Sequence, residues 1–474
     1  MSDAREFAGL TSDSRKVAPG FLFAALSGSK TDGGKFLKDA VARGASAVLG
    51  TPDLAADAAA LNVRFIPAAN PRAALAAFAA AFYGKQPEVV AAITGTKGKS
   101  SIVAFLREIW THNGHAAASL GTVGVIGPKG AMPLSHTTPD PVEIHALLAK
   151  LAEEGVDHLA VEASSHGLDQ YRLDGVRIRA CGFTNITRDH MDYHSTFEHY
   201  LAAKLRLFSE LVQDGGIAVV NADAEHSEKF IAAAKARKLT LLKVGEKGES
   251  ITLTQRTSIG DAQQLSLSHG GETYEMTLPL AGAFQASNAL VAAGIAIGLG
   301  EDAGKTFAAL ARLKGAPGRM EKVAFAASGA PIYLDYAHTP DSLEKVLEAL
   351  RPHTKAKLHI VFGCGGDRDK GKRPLMGAVA AKLADQVIIT DDNPRTENAA
   401  AIRAEILAAA PNASEIGDRR EAIRAAIADL QGGDVLVLAG KGHETGQYIN
   451  GVTHPFSDRD EALAAALAWG GRAA

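Results

Sequence analysis

Thr94-Gly95-Thr96-Lys97-Gly98-Lys99-Ser100-Ser101, directly after the apolar run Val89-Val90-Ala91-Ala92-Ile93, decides how this chain folds. A short β-rich run, a glycine loop, and then Ile102, Phe105, Leu106 and Ile109 at helical spacing predict a strand, a loop and a helix in that order. The glycines let the loop backbone curl so that successive N–H groups converge on phosphate oxygens, and the helix adds the positive end of its dipole. Gly95, Thr96, Lys97, Gly98, Lys99, Ser100 and Ser101 are therefore the expected nucleotide ligands, with Lys99 on phosphate and Ser100 on magnesium. The spacing G-x-x-G-K-S is shorter than G-x-x-x-x-G-K-[ST], which argues against a generic kinase or GTPase. A glycine turn without a ligand is the bland alternative. Asn113-Gly114 supplies the helix stop that the nucleotide-binding reading requires.

At 474 residues the chain is too long for one ordinary core, so several domains are expected. Apolar content of 46%, charged content of 22% and a mean hydropathy of +0.01 fit a globular protein. A formal charge of −3 argues against a nucleic-acid partner. With only Cys181 and Cys364, far apart in sequence, a disulfide framework is not expected, a cysteine-rich metal site is excluded, and a reducing, cytoplasmic compartment is expected. Met1-Ser2-Asp3-Ala4-Arg5-Glu6 lacks the pattern of a secretory signal. Ala73 to Tyr83 is too short to span a bilayer and reads as a buried helix.

Three blocks are expected: residues 1–85, 86–315 and 316–474, joined at Lys85-Gln86-Pro87 and at Leu313-Lys314-Gly315-Ala316-Pro317-Gly318. In the second block His158 to Val161, Cys181 to Ile186 and Gly216 to Val220 read as strands. In the third the strands are Ile332 to Leu334, His359 to Phe362, Gln386 to Ile389 and Asp434 to Leu438. Strands alternating with helices imply parallel α/β sheets, whose ligands sit beyond the carboxyl ends of the strands. Dense polar loops follow the third block's strands, at 335–340, 365–369, 391–395 and 440–444.

Glu162 and His190 follow strands of the nucleotide block and read as magnesium-shell candidates. For His190 and His194 a hydrogen-bonded pair of loop histidines is the alternative. Lys204, on a helical segment, reads by itself as a solvated charge. In Asp391-Asp392-Asn393-Pro394-Arg395 an Asn-Pro turn accounts for everything except the arginine, a residue suited to gripping a free carboxylate. With Arg368 and Glu444 on neighbouring loops, that face would match an amino-acid zwitterion.

Taken together, these motifs resemble the Mur ligase family, and within it the diaminopimelate-adding branch, over nearly the whole chain. The resemblance rests on the loop at 94–100, on Val161-Glu162-Ala163-Ser164-Ser165-His166-Gly167-Leu168, on Gly318-Arg319-Met320-Glu321, on Asp335-Tyr336-Ala337-His338-Thr339-Pro340 and on Asp392-Asn393-Pro394-Arg395. It implies three α/β domains: a small UDP-binding domain, a central P-loop ATPase domain and a Rossmann-like C-terminal domain. It also implies an ATP-dependent, magnesium-requiring ligase that joins meso-diaminopimelate to UDP-N-acetylmuramoyl-L-alanyl-D-glutamate through an acyl phosphate, and a monomer.

By the same resemblance Ser12, Ser14, Ser29, Lys30 and Thr31 would hold the UDP-sugar, and His136, Thr137, Thr138, Ser164, Gln170 and Arg172 the muramoyl peptide. Asn288, Arg319, Asp335 and His338 would lie near ATP. Arg368, Asp392, Asn393, Pro394, Arg395, Gly440 and Glu444 would take diaminopimelate. Lys204 would be carbamylated and would join Ser100, Glu162 and His190 on magnesium, with Lys99, Glu162, His190 and Lys204 as the catalytic set. Ser100-Ser101 stand where relatives often have threonines, and His136 where some have asparagine. The rivals are a folylpolyglutamate synthetase-like ligase and a regulatory ATPase; the N-terminal block and Asp392-Asn393-Pro394-Arg395 argue against the first.

Overall fold

In the computed structural model, which describes residues 4–28 and 32–474, the elements form three α/β modules. Ser29, Lys30 and Thr31, expected on the UDP-sugar, lie outside the described residues. The first module is a parallel sheet of Gly9–Thr11, Phe21–Ala24, Ala47–Gly50 and Arg64–Pro67, in that order. Helix Pro71–Tyr83 packs on it, started by Asn70, whose side chain accepts from the backbone of Ala73, and by Pro71 in the first turn. Leu75, Ala76, Phe78 and Ala79 are buried with Phe7, Leu10, Leu22 and Leu49, whereas Ala77 and Ala81 face solvent. The helix thus buries one face, as its spacing of apolar residues allows.

The central sheet runs Thr240–Gly245, Val212–Asn221, Ile178–Phe183, Val89–Thr94, His158–Glu162 and Ala117–Gly121, all parallel. The short strands Gly124–Gly127 and Gly130–Met132 then turn back antiparallel. Val89–Thr94 is buried throughout and has later strands on both sides, which makes its carboxyl end the switch point of the sheet. The glycine loop leaves from that point and runs into helix Lys99–His112, which ends at Asn113 with Gly114 in the left-handed region at φ +98°.

The third module orders Ser414–Glu415, Gln386–Ile389, Leu358–Phe362, Val435–Ala439 and Pro331–Asp335 in parallel, with Arg319–Phe325 and Arg472–Ala473 antiparallel at the edge. Every polar loop expected at a strand end in this module opens on the same edge. An antiparallel meander of Ile251–Ile259, Ala262–His269 and Glu272–Leu278 had no counterpart in the sequence reading. The elements fall into two compact units: residues up to Glu249 with Val291–Asp302, and Ser250–Leu290 with Ala303–Ala474.

Two loops of the second unit are anchored where they leave their strands by a buried ion pair. Arg419 and Asp458 have no side-chain exposure, and the guanidinium makes bonds of 2.7 and 2.6 Å to the carboxylate. It also donates to the carbonyls of Ala439, at 3.0 Å, and Asp391, at 3.3 Å, the residues that open two of the polar loops. Removing one partner of such a pair strands a buried charge. Asp458→Ala is therefore expected to cost about 3–5 kcal/mol of stability, read as a lower denaturation midpoint; an unchanged midpoint would contradict this role.

Candidate functional site

The glycine loop is held in place by its neighbours. Gly95 has φ +149°, and a Cβ there would lie 2.0 Å from Oγ1 of Thr184, so only glycine fits. Asn185 accepts from the Thr96 amide at 2.8 Å through its carbonyl and from the Lys97 amide at 3.0 Å through Oδ1. Thr96 Oγ1 meets the Tyr200 hydroxyl at 2.9 Å. Gly98, at φ +87°, opens the helix, and Ser100 and Ser101 are buried in its first turn.

Two lysine amines converge on one carbonyl of this loop. Lys99 Nζ donates to the carbonyl oxygens of Gly95 at 3.0 Å and Thr96 at 2.9 Å, while Lys204 Nζ donates to the same Gly95 oxygen at 2.7 Å. Lys204 is 1% exposed, with its Nζ 4.5 Å from the centre of the Tyr200 ring. The reading of Lys204 as a solvated charge is thereby overturned: helix Phe197–Arg206 turns it inward. Burial, reinforced by the charge of Lys99, drives the Lys204 amine well below the usual lysine range.

Glu162, 1% exposed, ends its strand beside the loop. Its carboxylate accepts from the amide of Thr122 at 2.8 Å and from the Thr122 hydroxyl at 3.2 Å. Gly121 makes room for it, since a Cβ there would lie 2.1 Å from Oε1. His190 has φ +55° and packs edge-on to His166, with ring centroids 5.1 Å apart. Burial is the main cause that lowers His190 below the ordinary histidine range, and Lys99 and Lys204 add to it against Asp189. Among the described contacts, the His190 and His194 rings do not form a hydrogen-bonded pair; His194 instead packs among His166, Tyr193, His199 and Tyr200.

Most of the expected peptide-binding residues form one network on the same unit. Thr138 Oγ1 lies 2.8 Å from the Glu162 carbonyl and 3.0 Å from Ser164 Oγ, and Thr137 meets Thr122 at 3.0 Å. Arg172 donates to the Thr138 carbonyl at 2.6 Å and to Gln170 at 2.7 Å, and Gln170 reaches the Tyr193 hydroxyl at 3.0 Å. His136 is exposed and bonded to Ser135 at 2.9 Å, outside this network. In the N-terminal module Ser12 is exposed and Ser14 is buried.

On the second unit, Asn288 is buried and donates to Gln285 at 3.0 Å, and the Arg319 guanidinium stacks 4.7 Å from the Tyr336 ring centre. Asp335 accepts from the amides of Met320 at 2.8 Å and Ala337 at 2.7 Å, so its carboxylate ties together the two segments that flank it. His338 bonds the Tyr336 carbonyl at 2.8 Å.

The expected amino-acid face is assembled on this unit. Asn393 donates to Glu444 at 3.0 Å, Gln447 donates to the Asp392 carbonyl at 2.7 Å, and Arg395 Nη1 donates to the carbonyl of Gly366 at 2.8 Å. Gly440, at φ +111°, passes so close to Asp392 that a Cβ would lie 2.7 Å from its carboxylate. Pro394 is buried, and Arg368 is exposed on the adjacent loop. Lys441 was missed from the sequence. Fully buried, it donates to Asn393 Oδ1 at 3.2 Å, Glu444 at 2.9 Å and the Gly446 carbonyl at 2.7 Å. Burial pushes Glu444 up, but Lys441 and Asn393 outweigh it and hold the carboxyl below its ordinary range. A lysine three residues before an acid in a glycine-rich strand-end loop was the available signal.

Comparison with known proteins agrees with this geometry. Residues 6–83 match the Mur ligase family, catalytic domain; residues 93–296 the Mur ligase middle domain; and residues 318–442 the Mur ligase, glutamate ligase domain. The chain is 58% identical over 469 residues to a UDP-N-acetylmuramoyl-L-alanyl-D-glutamate--2,6-diaminopimelate ligase of Bradyrhizobium diazoefficiens, covering 98% of this chain and 96% of that relative. A protein of the same name from Caulobacter vibrioides is 54% identical, covering 97% and 95%. A solved structure with that name is 34% identical with a TM-score of 0.74, over 98% of this chain and 95% of the other. A folylpolyglutamate synthase of Mycobacterium tuberculosis, 18% identical with a TM-score of 0.63 over 84% of this chain and 95% of that one, shares the fold. The chain belongs to the Mur ligase family and has its three-domain α/β architecture.

Proposed function

We propose that this chain is an ATP-dependent ligase that adds meso-diaminopimelate to the D-glutamate side-chain carboxylate of UDP-N-acetylmuramoyl-L-alanyl-D-glutamate, a step of peptidoglycan precursor synthesis in the cytoplasm. The relatives that are more than half identical carry that name along their whole length. The observation that carries the amino-acid assignment is the face where Arg395 lies beside the Asn393–Lys441–Glu444 set. A guanidinium fits the distal carboxylate of diaminopimelate, and Glu444 fits its ammonium. Lysine, lacking that carboxylate, would leave the guanidinium without its partner.

In this reading the dipeptide carboxylate attacks the γ-phosphate of ATP, giving an acyl phosphate and ADP. The diaminopimelate amine then displaces phosphate and loses a proton, leaving an amide. The loop amides from Gly95 to Ser101 and Lys99 hold the phosphates, and Asn288, Arg319, Asp335 and His338 are assigned to the nucleotide. Ser12, Ser14, Ser29, Lys30 and Thr31 are assigned to the UDP-sugar. His136, Thr137, Thr138, Ser164, Gln170 and Arg172 are assigned to the muramoyl peptide.

The donor set supports magnesium in one form only. Ser100 and Glu162 offer hard oxygens, and His190 stands by, but a protonated Lys204 would repel a cation. A buried neutral amine can attack carbon dioxide through its nitrogen lone pair and release one proton to solvent, and the resulting carbamate would supply a further oxygen ligand. When bound, magnesium neutralises charge on the transferring phosphoryl group. We assign domain limits near residues 85 and 315, with Gly84 and Gly315, both at positive φ, as hinges for a closure that excludes water from the acyl phosphate. The enzyme is taken to act as a monomer.

A coupled assay of phosphate release with the UDP-muramoyl dipeptide tests the assignment: meso-diaminopimelate is expected to support turnover and L-lysine to be poorer by a factor of about 10⁴. Equal turnover with lysine would overturn it. Arg395→Ala should lose diaminopimelate turnover while nucleotide affinity stays unchanged. Gly121→Ala should push the Glu162 carboxylate aside and lower kcat by roughly 10²-fold, with the melting temperature nearly unchanged; full activity would contradict the role given to Glu162.

A further inference from the structure

Opposite the phosphate loop, the central sheet carries a second cluster of chemistry-bearing side chains. Strand His158–Glu162 runs from that far edge, at His158, to the loop edge, at Glu162, a span of roughly 13 Å at about 3.3 Å per residue. Helix Lys99–His112 runs the other way and delivers Asn113 and His115 to the same far edge. Glu301 follows helix Ala283–Gly298 into this place. Nε2 of His115 lies 2.7 Å from Oε1 of Glu301, and the His115 and His158 ring centroids are 3.9 Å apart. One nitrogen from each imidazole and one carboxylate oxygen fall within 4.8 Å of one another. The His115, His158 and Glu301 side chains keep 31%, 12% and 15% exposure, so an ion from solvent reaches them.

Both ends of the cluster are braced from behind. Asp157 Oδ1 lies 2.8 Å from Nδ1 of His158, and because a carboxylate only accepts, the proton is fixed there and the lone pair is left on Nε2. Asn113 donates to Oε2 of Glu301 at 2.6 Å, which orients the carboxylate. Such outer partners set the tautomer and direction of metal-ligating groups.

We propose that His115, His158 and Glu301 form a binding site for a late first-row divalent cation such as zinc, separate from the nucleotide edge. The bound ion ties the end of the phosphate-loop helix to the strand that carries Glu162. Two imidazoles and a carboxylate are a donor set that zinc accepts readily and magnesium does not, and water completes the coordination. The ion takes the place of the proton shared by His115 and Glu301, which passes to solvent. The competing account is an ordinary His115–Glu301 ion pair with a histidine packed against it.

The test is titration of the full-length protein with zinc chloride in saturating magnesium, followed by calorimetry and by the fluorescence of Trp110, whose ring centroid lies 5.1 Å from that of His158. One tight equivalent is expected, together with a zinc-dependent rise in melting temperature. His158→Gln and Glu301→Gln should each weaken zinc by roughly tenfold or more, Asn113→Ala by about tenfold, and His454→Gln, at an exposed histidine elsewhere, not at all. Glu301→Gln nearly keeps the native shape and decides the matter if His158→Gln fails to fold. Absence of a stoichiometric equivalent, or undiminished zinc affinity in Glu301→Gln, overturns the proposal.

Discussion

Two amines on one carbonyl oxygen set the terms for the nucleotide edge of this protein. Lys99 and Lys204 both donate to Gly95, and Lys204 does so from a place almost without solvent. Two ammonium groups on one oxygen repel each other, and burial penalises the charged form of Lys204. The cheapest resolution is for the more buried amine to give up its proton. A neutral amine beside a phosphate loop is also a nucleophile, and capture of carbon dioxide would turn the repulsive group into an anion. The proposed carbamate thus follows from an electrostatic conflict, and the surrounding scaffold keeps that conflict in place. Tyr200 and Thr96 fix the loop against the lysine-bearing helix, Thr184 leaves no room for a side chain at Gly95, and Gly121 leaves room for Glu162.

The second unit solves a related problem with paired rather than conflicting charges. Lys441 is buried yet satisfied by three oxygens, two of them on residues assigned to the incoming amino acid. Beneath it, Arg419 and Asp458 hold the carbonyls that open the loops at 391 and 440. Buried ion pairs add little net stability compared with apolar packing, but they fix geometry. The face proposed to tell one diamine from another by a single carboxylate would need that fixity.

The strands and the glycine loop were legible because their signals are local. A β-rich run ended by polar residues, or a glycine pattern ahead of a helical period, needs no knowledge of distant neighbours. The Asn-Pro turn from Asp392 to Arg395 was legible for the same reason, but the sequence did not show that the Arg395 guanidinium also braces the neighbouring loop through the Gly366 carbonyl. What the sequence hid is what depends on three-dimensional company. Lys204 looks solvated on its own helix and is buried only because other elements cover it. Gly121 matters through the side chain of Glu162, 41 positions away. The role of Asp335 as a clamp on two backbone amides and the meeting of His115, His158 and Glu301 have no linear signature either.

Carbon-13 NMR of active protein equilibrated with labelled bicarbonate measures the state of the Lys204 amine most directly. The account predicts one protected carbamate resonance that disappears in Lys204→Arg. A fully active preparation with no such resonance, and with an intact mass matching an unmodified lysine, would contradict it.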